Sequence, residues 1–114
     1  MIVAEMGTNW DWSNYKGRLD RLASTGVTWV KWQLFHPDQA PPEFSHIAFG
    51  VPFEAAPKVW MLKKACEDRS LIPIFTPMAL DLVRFCDRGH IKIRYKDRAN
   101  EPLIRAAEET ASRV

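Results

Sequence analysis

Two polar residues inside an apolar run are the first candidates for chemistry in this chain. They are Lys31 and Gln33, in the stretch VTWVKWQLF over residues 27–35. The run is β-branched or aromatic at most positions, which predicts a strand. Residues two apart on a strand point to the same face. A lysine and a glutamine side by side on a buried strand are costly unless they meet a partner or a ligand. Other segments add to the set. Glu5, Thr76, Lys92 and Arg94 fall near the C-terminal ends of further apolar runs. Lys31, Lys92 and Thr76 together offer two cations and a hydroxyl, which suits a phosphate, or a phosphate plus a carboxylate. Glu5 could act as a general acid or base, or orient a sugar hydroxyl. Gln33 offers both a donor and an acceptor, useful toward a carbohydrate.

The elements that must hold these residues alternate along the chain. Residues 2–6 (IVAEM) read as a short strand ending at Gly7, and 8–12 as a loop. Ser13 or Asn14 can cap a helix running to about Thr25, with Leu19, Leu22 and Ala23 on one face. Gly26 fits the left-handed position just past that helix. After the strand 27–35 comes the least regular part, 36–57, with Pro37, Pro41, Pro42, Pro52 and Pro57. A connection this long and proline-rich predicts a lid, a binding loop or disorder. Pro57 suits the first turn of a helix reaching Arg69, with Val59, Met61, Leu62, Ala65 and Cys66 as its apolar stripe. Residues 71–75 read as a strand ending at Thr76-Pro77, 80–88 as a short helix closed by Gly89, and 90–95 (HIKIRY) as a strand. Asn100 can cap a last helix running nearly to Val114, with Pro102 in its first turn and Leu103, Ile104, Ala106 and Ala107 inward.

This βαβαβαβα order predicts one α/β domain over residues 1–114, with a parallel four-stranded sheet and right-handed crossovers. One strand parity is apolar and would lie under the helices: Ile2, Ala4 and Met6; Val30, Trp32 and Leu34; Ile91 and Ile93. The other parity carries the polar set, and ligands of parallel α/β sheets sit at the C-terminal strand ends.

Composition narrows the function classes. The chain has 114 residues, 46% hydrophobic and 26% charged, with a net charge of +2. That charge is too small to argue for nucleic acid or an anionic membrane surface. No apolar run approaches the ~20 residues of a membrane helix. Met1 leads straight into IVAEM without a basic segment, so no secretory leader is expected. There is no Gly-rich phosphate loop, no Ser-His-Asp candidate and no CxxC. His36, His46 and His90 lack metal-ligand spacing, although His36 falls near the strand mouth. Cys66 and Cys86 fall within helical patterns and read as buried free thiols, which points to a cytoplasmic location.

Four motifs, in order, resemble the N-acetylneuraminate (sialic acid) synthase family. AEMGTN, residues 4–9, resembles that family's AEIGxNH on its first strand. VKWQ, residues 30–33, resembles VKFQ on the second. FTP, residues 75–77, resembles the STPFD turn. IKI, residues 91–93, with NEPL, residues 100–103, resembles FKIASGDLTNLPLL. The resemblance covers nearly the whole chain and implies the first half, (βα)4, of a TIM-type (β/α)8 barrel with helices on one face. It implies condensation of phosphoenolpyruvate with N-acetylmannosamine or a related amino sugar, with a divalent metal such as manganese or magnesium. Lys31, Thr76 and Lys92 would then bind phosphoenolpyruvate. Glu5 would be catalytic and face the sugar with Gln33, and Asn9 would bind substrate.

The departures are specific. The motif histidine after Asn9 is Trp10, and the glycine that follows is Trp12. Tyr95 and Lys96 replace a serine-glycine corner where phosphate approaches, while Asp97 is kept. Ala79 replaces an aspartate. A full barrel needs ~250 residues, and the family's metal-binding histidines belong to the second half. The resemblance therefore implies a half-barrel that is inactive alone. A non-catalytic half-barrel acting in binding or assembly is the second expectation, and another phosphate-dependent barrel lyase or aldolase the third. Four strands with helices on one side would leave Val3, Trp29, Ile72 and Ile74 open to water. A homodimer rebuilding eight strands, or a second-half chain, would cover them; so would the 36–57 loop folded over that face.

Overall fold

A computed structural model describes residues 2–6, 13–35, 56–86 and 89–110. The expected loops over 8–12 and most of 36–57, with Asn9, Trp10, Trp12, His36 and His46, lie outside these residues. So does the end of the last helix.

The described elements follow the expected order. They are β1 (Val3–Glu5), α1 (Tyr15–Ser24), β2 (Trp29–Leu34), α2 (Ala56–Glu67) and β3 (Ile72–Pro77). A 3-10 segment (Leu80–Cys86), β4 (His90–Ile91), a 3-10 turn (Tyr95–Asp97) and α3 (Glu101–Thr110) complete them. The four strands form one sheet in the order β1-β2-β3-β4. Every pair is parallel, with Glu5 opposite Lys31, Gln33 opposite Thr76, and Ile74 opposite His90. The fold is thus α/β with an all-parallel sheet and helices, as a (βα)4 half-barrel requires.

Alternation on β2 sets the two sides of the sheet. Val30, Trp32 and Leu34 are fully buried, with Leu19, Leu62, Phe75, Leu82 and Leu103 in the same core. Each such side chain contributes about 1.5–3 kcal/mol on leaving water. Trp29, Lys31 and Gln33, on the opposite parity, are only half-buried. Local signals place the helices. Gly26 takes φ 83° after α1, where a side chain would be strained. The Asn100 side-chain oxygen accepts from the Leu103 amide at 3.3 Å and caps α3.

Five expectations are corrected. Ile104, expected inward on α3, is half-buried and outside the core, since it stands about 100° round the helix from Leu103. The third helix, expected over 80–88, is a 3-10 segment. Its buried Leu82, Val83 and Cys86 recur at a spacing that both helix types satisfy over so short a run. Gly89 closes it by close approach, since a Cβ there would lie 3.1 Å from the Cys86 carbonyl oxygen. The fourth strand, expected over 90–95, is only His90–Ile91, paired with Ile74 and Phe75. One further amide, that of Lys92, donates to the Phe75 carbonyl. Beyond it Arg94 is drawn to Asp97, and the backbone turns. Ile2 is 75% exposed rather than covered by a helix, because pairing begins only at Val3. Met61 is exposed beside Trp60, since it stands about 200° round α2 from Val59. Among the described residues no helix is long and apolar enough to cross a membrane.

Candidate functional site

The parallel register brings four of the expected residues onto one face of the sheet, in two successive cross-strand pairs. Glu5 ends β1 directly opposite Lys31, and its Oε2 lies 2.7 Å from the Lys31 Nζ. The pair is partly exposed, at 21% for the lysine side chain and 39% for the glutamate. Gln33 stands two residues further along β2, opposite Thr76. Thr76 is only 3% exposed, and its buried hydroxyl has no hydrogen-bond partner among the described residues. A buried hydroxyl left in that state costs about 1–3 kcal/mol.

Lys92 is exposed, one residue past β4. It sits next along from Ile91, whose register partner is Phe75, the neighbour of Thr76. His90 packs edge-on against Trp29, with ring centroids 5.2 Å apart at 79°. That contact gives His90 a packing role on this face. Asn9 lies outside the described residues.

The corner after β4 differs from the motif it resembles. Asp97 is 8% exposed and accepts from the Arg94 guanidinium. Its other oxygen lies 3.4 Å from the Asn100 amide nitrogen, so Asp97 ties the turn to the cap of α3. Tyr95 is 78% exposed, and the Arg98 guanidinium stacks 3.9 Å from its ring centre. Its bulk stands in solvent.

Sequence reasoning left the Glu5–Lys31 pair unmade, giving the two residues separate ligands. The signal was present: both fall at same-face positions near the ends of adjacent parallel strands. Their contact meets part of the cost of a half-buried lysine without any ligand. Both cysteines are buried free thiols. Burial pushes Cys66 up to about 11, against the Trp32 indole that donates to its sulfur, and Cys86 up to about 12. Neither is a nucleophile at neutral pH.

Among the described residues no three His, Cys, Asp or Glu side chains converge to hold a metal ion. They do not fit the divalent metal that the resemblance implies, and no step through a metal is assigned to them. Comparison with protein-family models gives no match, and comparison with curated proteins gives none either.

Proposed function

We propose that this chain is a sialic acid synthase-like half-barrel that binds phosphoenolpyruvate at its C-terminal strand ends. Together with strands that complete the barrel, it condenses that acid with N-acetylmannosamine or a related amino sugar. The observation that carries this reading is the buried Thr76 hydroxyl, which has no hydrogen-bond partner among the described residues. It sits beside Gln33 and one strand from the Lys31–Glu5 pair. A phosphate or carboxylate oxygen would satisfy that hydroxyl, with Lys31 and Lys92 supplying positive charge. Glu5 and Gln33 then face the sugar.

Phosphate can win Lys31 from Glu5 on magnitude. A partly exposed ion pair contributes about 0–1 kcal/mol, whereas a charge-assisted contact to a ligand contributes about 1.5–3 kcal/mol. Titration calorimetry with phosphoenolpyruvate on wild type and Lys31→Ala tests the reading. The substitution should weaken binding about tenfold to a hundredfold. Equal binding by both, or none by either, rejects it.

The Glu5–Lys31 contact also favours a second reading, a non-catalytic half-barrel acting in binding or assembly. There the pair is structural, and a folded wild-type chain takes up no phosphoenolpyruvate.

A further inference from the structure

We infer that two copies of this chain close on each other, with α1 of each packed along α3 of the other through a seam of opposite charge. The inference rests on the half-barrel reading above and names the partner that completes it.

Among the described residues both edges of the sheet are unpaired. β1 pairs only with β2, and β4 only with β3. Unpaired parallel edges are templates for another strand, and eight parallel strands are what a closed barrel needs.

The helices flanking those edges carry opposite charges. On α1 one flank is used within the chain: Asp20 accepts from Arg69 at 2.6 Å, and Lys16 lines a groove with Trp60 and Lys64 of α2. The other flank, beside the β1 edge, carries Arg18 and Arg21. Both line a pocket of about 310 Å³ with Glu5, Met6, Leu22 and Thr25. Among the described residues neither guanidinium makes an ion pair, and the buried Arg18 Nε has no hydrogen-bond partner.

Beyond β4 in the chain, α3 packs against the 3-10 segment and repeats the setting of α1. Leu103 and Ala107 are its buried pair, spaced as Tyr15 and Leu19 are on α1. Ile104 and Glu108 therefore correspond to Lys16 and Asp20, the flank that on α1 turns toward the next helix. Ala106, at the place of Arg18, packs against the core, while Ile104 is half-buried outside it. The outward flank of α3 is then Glu101, Ile104 and Glu108, with exposed Arg105 beside the two glutamates, so the flank keeps a net negative charge. Neither glutamate makes an ion pair among the described residues.

The basic flank thus lies beside the first strand, and the acidic flank belongs to the helix that follows the last strand of the same sheet. Four strands cannot bring their own edges together. A second copy related by a two-fold axis does so twice, joining β4 to β1 and the glutamates to Arg18 and Arg21 at both seams. The complementarity is written within one chain, which selects a second copy over an unrelated partner.

Sedimentation equilibrium on the whole chain and on two charge-reversed variants tests this. The variants are Arg18→Glu/Arg21→Glu and Glu101→Arg/Glu108→Arg. Wild type should be a dimer at micromolar concentration. Each variant alone faces like charge with like at both seams and should dimerise at least about tenfold more weakly. An equimolar mixture should recover wild-type affinity, because both seams of the mixed dimer are again complementary. Circular dichroism establishes that each variant is folded. A monomeric wild type, folded variants that dimerise as tightly as wild type, or a mixture no tighter than its components each overturns the inference. Phosphoenolpyruvate titrations on the same samples separate the two claims. A monomer that binds the ligand removes the second copy and leaves the site; a dimer that does not bind it removes the ligand and leaves the seam.

Discussion

The two faces of one sheet show how alternate residues of the same strands serve different ends. Under the helices, Val30, Trp32, Leu34 and Phe75 are sealed from water in a single apolar core. On the reverse, the intervening positions hold Lys31 against Glu5, and Gln33 opposite a Thr76 whose buried hydroxyl has no partner among the described residues. The first arrangement stabilises the fold wherever it occurs. The second leaves the Thr76 hydroxyl without a hydrogen-bond partner among the described residues, which costs stability there, and the proposed ligand would satisfy it. A period of two residues lets one backbone carry both, and the helix-side core offsets what the other side loses.

Truncation on the two faces should therefore differ most. Trp32→Ala removes a fully buried indole that also donates to the Cys66 sulfur. It should cost about 3–5 kcal/mol in urea unfolding. Its neighbour Gln33→Ala should stay within about 0.5 kcal/mol. Comparable losses at the two positions would erase the distinction between the faces.

The next largest effect is on pH, and it belongs to the helix side alone. Burial raises Cys66 to about 11 and Cys86 to about 12 from an ordinary value near 9. The neutral thiols favour the folded state, so their contribution is whole below the unfolded value. It falls as pH rises from there toward the folded values, by about 1.4 kcal/mol per pH unit for each thiol. Urea midpoints on either side of about pH 9 read it, and Cys66→Ala/Cys86→Ala separates the thiols from the lysines. A steeper loss in wild type than in the double variant is expected; identical slopes would place the thiols in contact with water.

The sequence was legible where one local pattern has one structural solution. Period-two alternation located β1, β2 and β3, Gly26 marked the left-handed turn, and Asn100 marked the start of α3. It was ambiguous where short patterns have two solutions. Leu82, Val83 and Cys86 suit a 3-10 turn as well as an α-helix. The HIKIRY alternation continues past the point where Asp97 takes Arg94 out of the strand. Met61 was drawn into the apolar stripe of α2 by its hydrophobicity, although its angle round the helix excludes it. In the candidate site, the residue types and the shared face of Lys31 and Gln33 were readable. The pairing of Glu5 with Lys31 was not read, because it depends on the register between two strands. The absence of a partner for Thr76 depends on three-dimensional burial, which no spacing reports.

The smallest change is also the most direct test of the claim that the polar face exists for a ligand. Thr76→Val replaces the buried hydroxyl with a methyl group of nearly the same shape. Chemical unfolding of wild type and Thr76→Val, with and without phosphoenolpyruvate, gives the result in one experiment. Without ligand the variant should be more stable by about 1 kcal/mol, since an unsatisfied group is gone. With ligand at about a hundred times its dissociation constant, wild type should gain about 2.7 kcal/mol, and the variant clearly less. Equal stabilisation of both proteins by phosphoenolpyruvate, or of neither, would contradict the account.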